Sequence, residues 1–106
     1  MDVYMPDELL QLYLTGKSRK YRSIERNKEL LTGFLRAVEL MMLAESATEL
    51  KNYSFLHYER LKHKYTGYSS VRLSNRSVHR LIFKEYDYGI RVELIDIDDT
   101  HYGNKH

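Results

Sequence analysis

The sequence predicts an α+β fold in which two N-terminal helices pack on one face of a small, mostly antiparallel β-sheet. Three observations support this prediction. Apolar residues recur at helical spacing in the first half of the chain, strand-like apolar patterns occupy the second half, and short turns separate the consecutive strands. Short turns between neighbouring strands favour antiparallel hairpins.

The first half predicts a short opening strand and two helices. The strand lies around Val3 and Met5, and the first helix runs from the segment 6–8, a proline followed by two acids, to Gly16. A longer second helix is predicted from Ser23, as its N-cap, to about Ala47, followed by a single helical turn at 48–53. Its buried face is predicted to contain Ile24, Leu31, Phe34, Leu35, Val38, Met41 and Met42.

The second half predicts three strands joined by tight turns. The strands are expected at Val71–Leu73, 78–83 and 90–97, and the turns at Asn75 and 87–89. The residues at 81–83 and 94–95 are consecutive apolar residues rather than alternating with polar ones, which indicates central strands that are covered on both faces.

Composition narrows the class of protein. The chain of 106 residues is expected to form one domain, 1–106, and it has no cysteine for a disulfide framework or a thiolate metal site. Acids at Asp2, Asp7 and Glu8 do not fit a signal peptide, and the longest apolar run, 40–44, is too short for a membrane span. We therefore expect a soluble, cytoplasmic protein that does not bind membranes.

The positive charge is concentrated in two segments, 17–28 and 57–80, although the net charge is only +2. Such segments indicate a polyanion partner, or else a solvated charged face. Tyrosines interleave with the second segment, where they can stack on unpaired bases or pack as ordinary strand residues. The candidate RNA-binding residues are Lys20, Arg22, Arg60, Lys64, Tyr68, Arg72 and Tyr102.

Acids and a histidine follow the last predicted strand. Asp99 and His101 are two residues apart, and a carboxylate beside an imidazole can transfer protons near neutral pH. The alternatives are a frayed terminal histidine or a metal site that includes Asp96 and Asp98. We expect neither metal nor cofactor, because there is no HExxH motif and no second nearby histidine at helical spacing.

Several segments, taken in order, resemble a known family. Leu61-Lys62, 78–83, 92–96 and 99–101 are similar to segments of the RelE/HigB-type toxins of bacterial toxin–antitoxin modules. The HigB branch, also called the plasmid-maintenance-system killer family, looks most similar, and segment 9–16 resembles its first helix and glycine stop. The resemblance spans nearly the whole chain and implies a RelE-like fold.

The chain departs from the family pattern at three positions. Thr100 replaces the tail tyrosine, with Tyr102 two residues later, and His63 replaces a glycine. Glu59 stands where the family has a histidine, and His57 precedes it by two residues. On a strand, His57 and Glu59 would point to the same side of the sheet.

The resemblance implies a metal-free endoribonuclease that cuts mRNA in the ribosomal A site and is neutralised by a cognate antitoxin protein. A base removes the ribose 2′-proton, the 2′-oxygen attacks the adjacent phosphorus, and an acid protonates the leaving 5′-oxygen. His101 is then the acid or base and Asp99 its partner, with Glu59 and His57 as further candidates. Lys62 and Arg80 hold the phosphate.

Other interpretations stay open at this stage. Arg80 can pair with Glu93 across a hairpin, Lys62 can be a solvated lysine, and His79 is expected to pack. Two functional alternatives use the same fold: a ParE-type toxin that inhibits DNA gyrase, and a catalytically inactive RNA-binding module.

Overall fold

The computed structural model describes residues 1–99, which form three α-helices and one five-stranded sheet. The helices are α1 (Asp7–Thr15), α2 (Arg22–Glu25) and α3 (Lys28–Leu43), and the strands are β1 (Asp2–Tyr4), β2 (Glu59–Arg60), β3 (Tyr68–Arg72), β4 (Arg80–Tyr86) and β5 (Arg91–Asp98). Short 3-10 helices lie at Ala47–Asn52, Ser54–Leu56, His63–Tyr65 and Asp87–Gly89. The predicted α+β class is confirmed.

The sheet has the order β1-β5-β4-β3-β2, so β5 and β4 are interior strands, as predicted. The prediction that both of their faces are covered is wrong, because Tyr86 and Glu93 are exposed on the face away from the helices. Only the β1–β5 pair is parallel, and the other three pairs are antiparallel. One irregularity interrupts the β4–β5 ladder, where Ile82 pairs with Asp96 but Phe83 pairs with Leu94. Ile95 is the extra residue of this bulge, and it is half-buried.

The first helix confirms the prediction for its two ends. Pro6 precedes α1, whose first turn carries Asp7 and Glu8, and Gly16 ends it with a φ of 76°. A side chain other than glycine is strained at this φ, whereas glycine adopts it freely.

The predicted continuous helix from Ser23 to Ala47 is wrong, because the chain breaks between α2 and α3. Asn27 has an extended backbone, with φ −114° and ψ 106°, and its side chain accepts a hydrogen bond from the Leu30 amide. Asn27 is therefore the N-cap, whereas Ser23 lies within α2. α3 ends at Leu43, earlier than the predicted end near Ala47.

The first hairpin differs from the prediction at both of its ends. β3 ends at Arg72, and β4 begins at Arg80, so Val78 and His79 precede the strand. The intervening turn is held by serines: the Ser74 hydroxyl accepts from the Arg76 amide, and the Ser77 hydroxyl accepts from the His79 amide. The second turn, at Asp87–Gly89, confirms the prediction.

The core lies between the helices and one face of the sheet. Leu9 and Leu12 from α1 and Phe34 and Val38 from α3 are buried against strand residues such as Phe83. Met41 is buried as predicted, but Met42 is 42% exposed, so its predicted place in the core is wrong. No helix within residues 1–99 has the length and apolar character needed to span a membrane.

Candidate functional site

The face of the sheet that points away from the helices carries the candidate site, and we call it the open face. Side chains alternate between the two faces of a strand. Since Val71, Leu81 and Ile97 belong to the core, their neighbours Arg72, Arg80 and Asp98 face the other way. The ladder places Arg72 opposite Arg80, and Arg80 opposite Asp98.

Arg80 lies at the centre of a polar cluster on the open face. Its Nη1 donates a hydrogen bond to Ser70 Oγ at 3.2 Å and lies 3.5 Å from Glu59 Oε1. The side chain of Arg80 is only 16% exposed, whereas that of Glu59 is 52% exposed. The proposed pairing of Arg80 with Glu93 is wrong, because Lys84 stands opposite Glu93 in the ladder.

Arg72 brings a second guanidinium group to this cluster. It is half-buried, and within residues 1–99 its Nε is a buried nitrogen without a hydrogen-bond partner. Like charges placed directly opposite on neighbouring strands destabilise a sheet, and an unsatisfied buried donor adds a further cost. Arg72 thus combines a like-charged neighbour with an unsatisfied donor, whereas the charge of Arg80 is offset by the carboxylate of Glu59.

Acids border the arginines along β5. The Tyr21 hydroxyl donates to Asp96 Oδ1 at 2.5 Å, and the Tyr65 hydroxyl lies 3.5 Å from Asp98 Oδ2. Burial, followed by the hydrogen bond to Asp96, raises the pKa of Tyr21 above its ordinary value. Burial also raises the pKa of Tyr65, and the charges of Asp98 and Asp96 add to this effect.

His57 does not lie where the sequence placed it. The residue is outside β2 and adopts a left-handed backbone with φ 49°, so its side chain does not follow the strand alternation with Glu59. Its Nε2 instead forms a hydrogen bond of 3.1 Å with Asn75 Oδ1 in the β3–β4 turn. The prediction that His57 and Glu59 point the same way along a strand is wrong.

The other candidate cations are spread over the surface. Lys62 is exposed just before the turn at 63–65, and Lys64 Nζ lies 5.4 Å from the centre of the Tyr65 ring. Arg60 belongs to the opposite face of the sheet, where its Nη2 lies 3.6 Å from Glu85 Oε1. Arg60 is thus not part of the arginine cluster.

The basic segment 17–28 includes α2 and the loop before it. Lys20 and Arg22 are both exposed, and Lys20 Nζ lies 5.4 Å from the centre of the neighbouring Tyr21 ring. Since the Tyr21 hydroxyl contacts Asp96, this segment lies beside the β5 border of the site.

Two candidates of the tail, His101 and Tyr102, lie outside the described residues, as does Thr100. Asp99 is the last described residue and is exposed directly after β5, next to Asp98. The predicted role of the tail therefore stays a prediction.

Residue-by-residue reading of the sequence did not select Ser70 as a site residue. Ser70 is fully buried, and its hydroxyl bonds Arg80. The alternation of apolar and polar residues around Val71 predicts a strand there. It does not predict how β3 pairs with β4, and this pairing is what places Ser70 beside Arg80.

Comparison with solved structures identifies the fold. The YoeB/ParE toxin from Agrobacterium tumefaciens superimposes with a TM-score of 0.52 at 17% sequence identity, over 95% of this chain and 100% of that one. The chain has the fold of the YoeB/ParE toxins. This result confirms the RelE-like fold expected from the resemblance.

Two further structures of similar proteins agree with this fold. The YoeB dimer from Staphylococcus aureus gives a TM-score of 0.52 at 18% identity, covering 96% of this chain and 98% of that one. The YoeB–YefM complex from the same organism gives 0.50 at 19% identity, with the same coverage of both chains. No protein-family model and no curated protein matches the sequence. The assignment to the HigB branch stays a prediction.

Proposed function

We propose that this protein is the toxin of a toxin–antitoxin pair and that it cleaves mRNA on the ribosome. The observation that carries the proposal is the placement of Arg72 and Arg80 directly opposite each other on the open face, beside the accessible carboxylate of Glu59. A phosphodiester placed on two guanidinium groups and next to a base is set up for attack by its own 2′-hydroxyl.

The arginines supply the phosphate-binding part of this reaction. A bound phosphate places negative charge beside both guanidinium groups and so offsets the repulsion between them. Because the Ser70 hydroxyl and Glu59 already hold the Arg80 guanidinium in place, the positive charge is preorganised for the extra negative charge of the transition state. Lys62, which is exposed, serves as a further cation for the substrate backbone.

Glu59 and the tail supply the proton transfers. Glu59 accepts the proton of the ribose 2′-hydroxyl, the 2′-oxygen attacks phosphorus, and the bond to the 5′-oxygen breaks. His101 donates a proton to that leaving 5′-oxygen, with Asp99 as its partner. Support for Glu59 comes from its position 3.5 Å from the Arg80 guanidinium, and support for His101 and Asp99 comes from the sequence.

The proposed partners are an antitoxin and the ribosome. The structural neighbour from Staphylococcus aureus is a YoeB–YefM complex, which supports an antitoxin for this chain as well. The basic segment at 17–28 and Lys64 are proposed to contact ribosomal RNA, so binding to ribosomes should weaken steeply with salt. We place this activity in the cytoplasm and in a single domain.

The proposal is tested in a purified bacterial translation system by following mRNA integrity. Wild type should cut mRNA within codons on translating ribosomes, and Glu59→Gln and His101→Ala should each lower the rate by about 100-fold or more. Arg80→Gln should lose activity to a similar degree, since an oxyanion-stabilising donor is removed. The exposed turn residue Arg76 provides the matched control, and Arg76→Gln should cut normally.

The outcomes separate the competing functions. Intact mRNA with every preparation contradicts the nuclease. The ParE-type alternative is favoured by the name of the Agrobacterium neighbour, a YoeB/ParE toxin. It predicts inhibition of DNA supercoiling by gyrase, with Arg80→Gln as active as wild type. RNA binding without cleavage or gyrase inhibition identifies the inactive RNA-binding module.

A further inference from the structure

A second row of side chains crosses the open face on the far side from the arginines. The ladders place Tyr4 opposite Glu93, Glu93 opposite Lys84, and Lys84 opposite Tyr68. These four residues join β1, β5, β4 and β3 at the same height of the sheet, and together with the adjoining pair Tyr86 and Arg91 we call them the second row. Lys84 lies four residues after Arg80 on β4, which corresponds to about 13 Å along the strand.

Cations in this row lie over aromatic rings. Lys84 Nζ lies between two tyrosines, 6.0 Å from the ring centre of Tyr68 and 5.5 Å from that of Tyr86. On the β1 side, Arg91 Cζ lies 5.9 Å from the ring centre of Tyr4. These distances are typical of cation–π contacts.

The outer rings of this row are open to solvent. Tyr4 is 51% exposed and Tyr86 is 36% exposed, although both are large and partly apolar. The Tyr86 hydroxyl donates to Glu93 Oε1 at 3.0 Å, which fixes one edge of the ring. With Arg91, they line an open cavity of about 500 Å³. A fixed and exposed aromatic ring next to a cation is a ready surface for stacking.

The charges of this row balance one another. Lys84 stands opposite Glu93, and Arg91 pairs with Asp87. The row therefore offers aromatic faces without a net positive charge, unlike the pair Arg72 and Arg80. A ligand that presents only phosphates, such as the backbone of a duplex, gains little here, whereas unpaired bases gain from stacking.

We propose that Tyr4, Lys84 and Tyr86 form a base-stacking subsite for single-stranded RNA. This inference rests on the proposed function, in which a phosphate of the RNA strand lies on Arg72 and Arg80. The same RNA strand then continues across the open face to the second row. Bases one or more nucleotides from the cleaved bond stack on the Tyr4 and Tyr86 rings. Lys84, which lies between Tyr68 and Tyr86, holds these two rings in place.

The subsite is tested by binding rather than by cleavage. The probe is a fluorescent single-stranded RNA with a 2′-O-methyl group on every ribose, which removes the attacking hydroxyl, and the readout is anisotropy with purified protein. Tyr4→Leu and Tyr86→Leu should each weaken binding about tenfold, since stacking contributes about 1–3 kcal/mol per base. Tyr4→Phe and Tyr86→Phe keep the ring and should bind as wild type does.

Controls separate stacking from loss of the fold and from general charge. Tyr13→Leu changes a tyrosine on α1, on the opposite side of the sheet, and should bind RNA normally. Thermal melting checks that each variant is folded, and Lys84→Gln is a second variant that should weaken binding about threefold. With an abasic oligonucleotide of equal charge, wild type and Tyr86→Leu should bind equally.

The possible outcomes distinguish this inference from the proposed nuclease. Equal RNA binding by wild type and both leucine variants overturns the subsite, as does a wild type that binds no single-stranded RNA. If Tyr86→Leu binds the abasic oligonucleotide more weakly than wild type does, the subsite is also overturned, because the Tyr86 ring then contributes to binding without stacking on a base. If the leucine variants bind RNA weakly while wild type cuts no mRNA, the result supports the stacking subsite and contradicts the proposed nuclease activity.

Discussion

Replacing Arg72 by methionine should make the protein more stable and less active. Methionine keeps an unbranched stem of similar length but removes the positive charge opposite Arg80 and the buried Nε that has no partner within residues 1–99. Relief of cross-strand repulsion contributes about 0.2–1 kcal/mol, and removal of the unsatisfied donor about 1–3 kcal/mol. After allowance for imperfect packing of the new side chain, we expect a gain of about 1–2 kcal/mol.

Urea unfolding at neutral pH measures this gain as a higher transition midpoint with an unchanged slope. Arg72→Lys provides one control, because it keeps the charge, and it should gain less than Arg72→Met. Arg76→Gln provides the other, because Arg76 is an exposed arginine of the β3–β4 turn, and it should change stability by less than about 0.5 kcal/mol.

Inorganic phosphate should narrow the difference in stability between wild type and Arg72→Met. An anion that binds only the folded wild type stabilises it by about 1.4 kcal/mol when its concentration is tenfold above the Kd. Arg72→Met should show much less of this effect. If Arg72→Met is less stable than wild type in phosphate-free buffer, and phosphate stabilises both proteins equally, the assignment of Arg72 and Arg80 as an anion site is refuted.

Three further changes test the fold that supports the site. Gly33→Ala places a Cβ 1.9 Å from the carbonyl oxygen of Leu73, so it should lower the free energy of unfolding by about 1–3 kcal/mol despite the better helix propensity of alanine, as urea unfolding can measure. Asn27→Ala removes the cap of α3 and should cost about 1 kcal/mol in the same assay, whereas Asn27→Asp should cost less. Tyr21→Phe loses the hydrogen bond to Asp96 and should cost about 1–3 kcal/mol at pH 7. Folding raises the pKa of Tyr21, so its contribution is complete below the unfolded pKa near 10 and falls at higher pH; stability measured from pH 9 to 11 should decline less in Tyr21→Phe than in wild type.

The sequence was sufficient for the fold class because the period of the apolar residues is a local property. The same locality explains the errors. Ile24 and Leu30 are both buried, so apolar spacing carries no sign of the break between α2 and α3, and only the capping preference of Asn27 marks it. His57 was misplaced because a non-glycine residue with positive φ has no clear signal in the sequence.

The candidate site was predicted only in part because register is not local. The sequence selected Arg72, Arg80 and Glu59 as separate candidates, but β3–β4 pairing is what makes the two arginines neighbours. Of the row from Tyr4 to Tyr68, the sequence selected only Tyr68, since the row joins residues from four strands. Single positions on different strands become a surface only after all pairings are known.

The position of β5 in the sheet has a consequence for biosynthesis. β5 lies between β1 and β4, so the beginning of the chain, at Asp2, pairs with Arg91, and Arg80 pairs with Asp98. A contact between distant parts of a chain, such as that between Asp2 and Arg91, forms late because a long loop must first close. A nascent chain can build the hairpin of β3 and β4 during translation, but the β5 edge of the arginine cluster is missing until synthesis has passed Asp98. Under the proposed function, this order of assembly keeps the arginine cluster incomplete at its β5 edge until residues 91–98 have been synthesised.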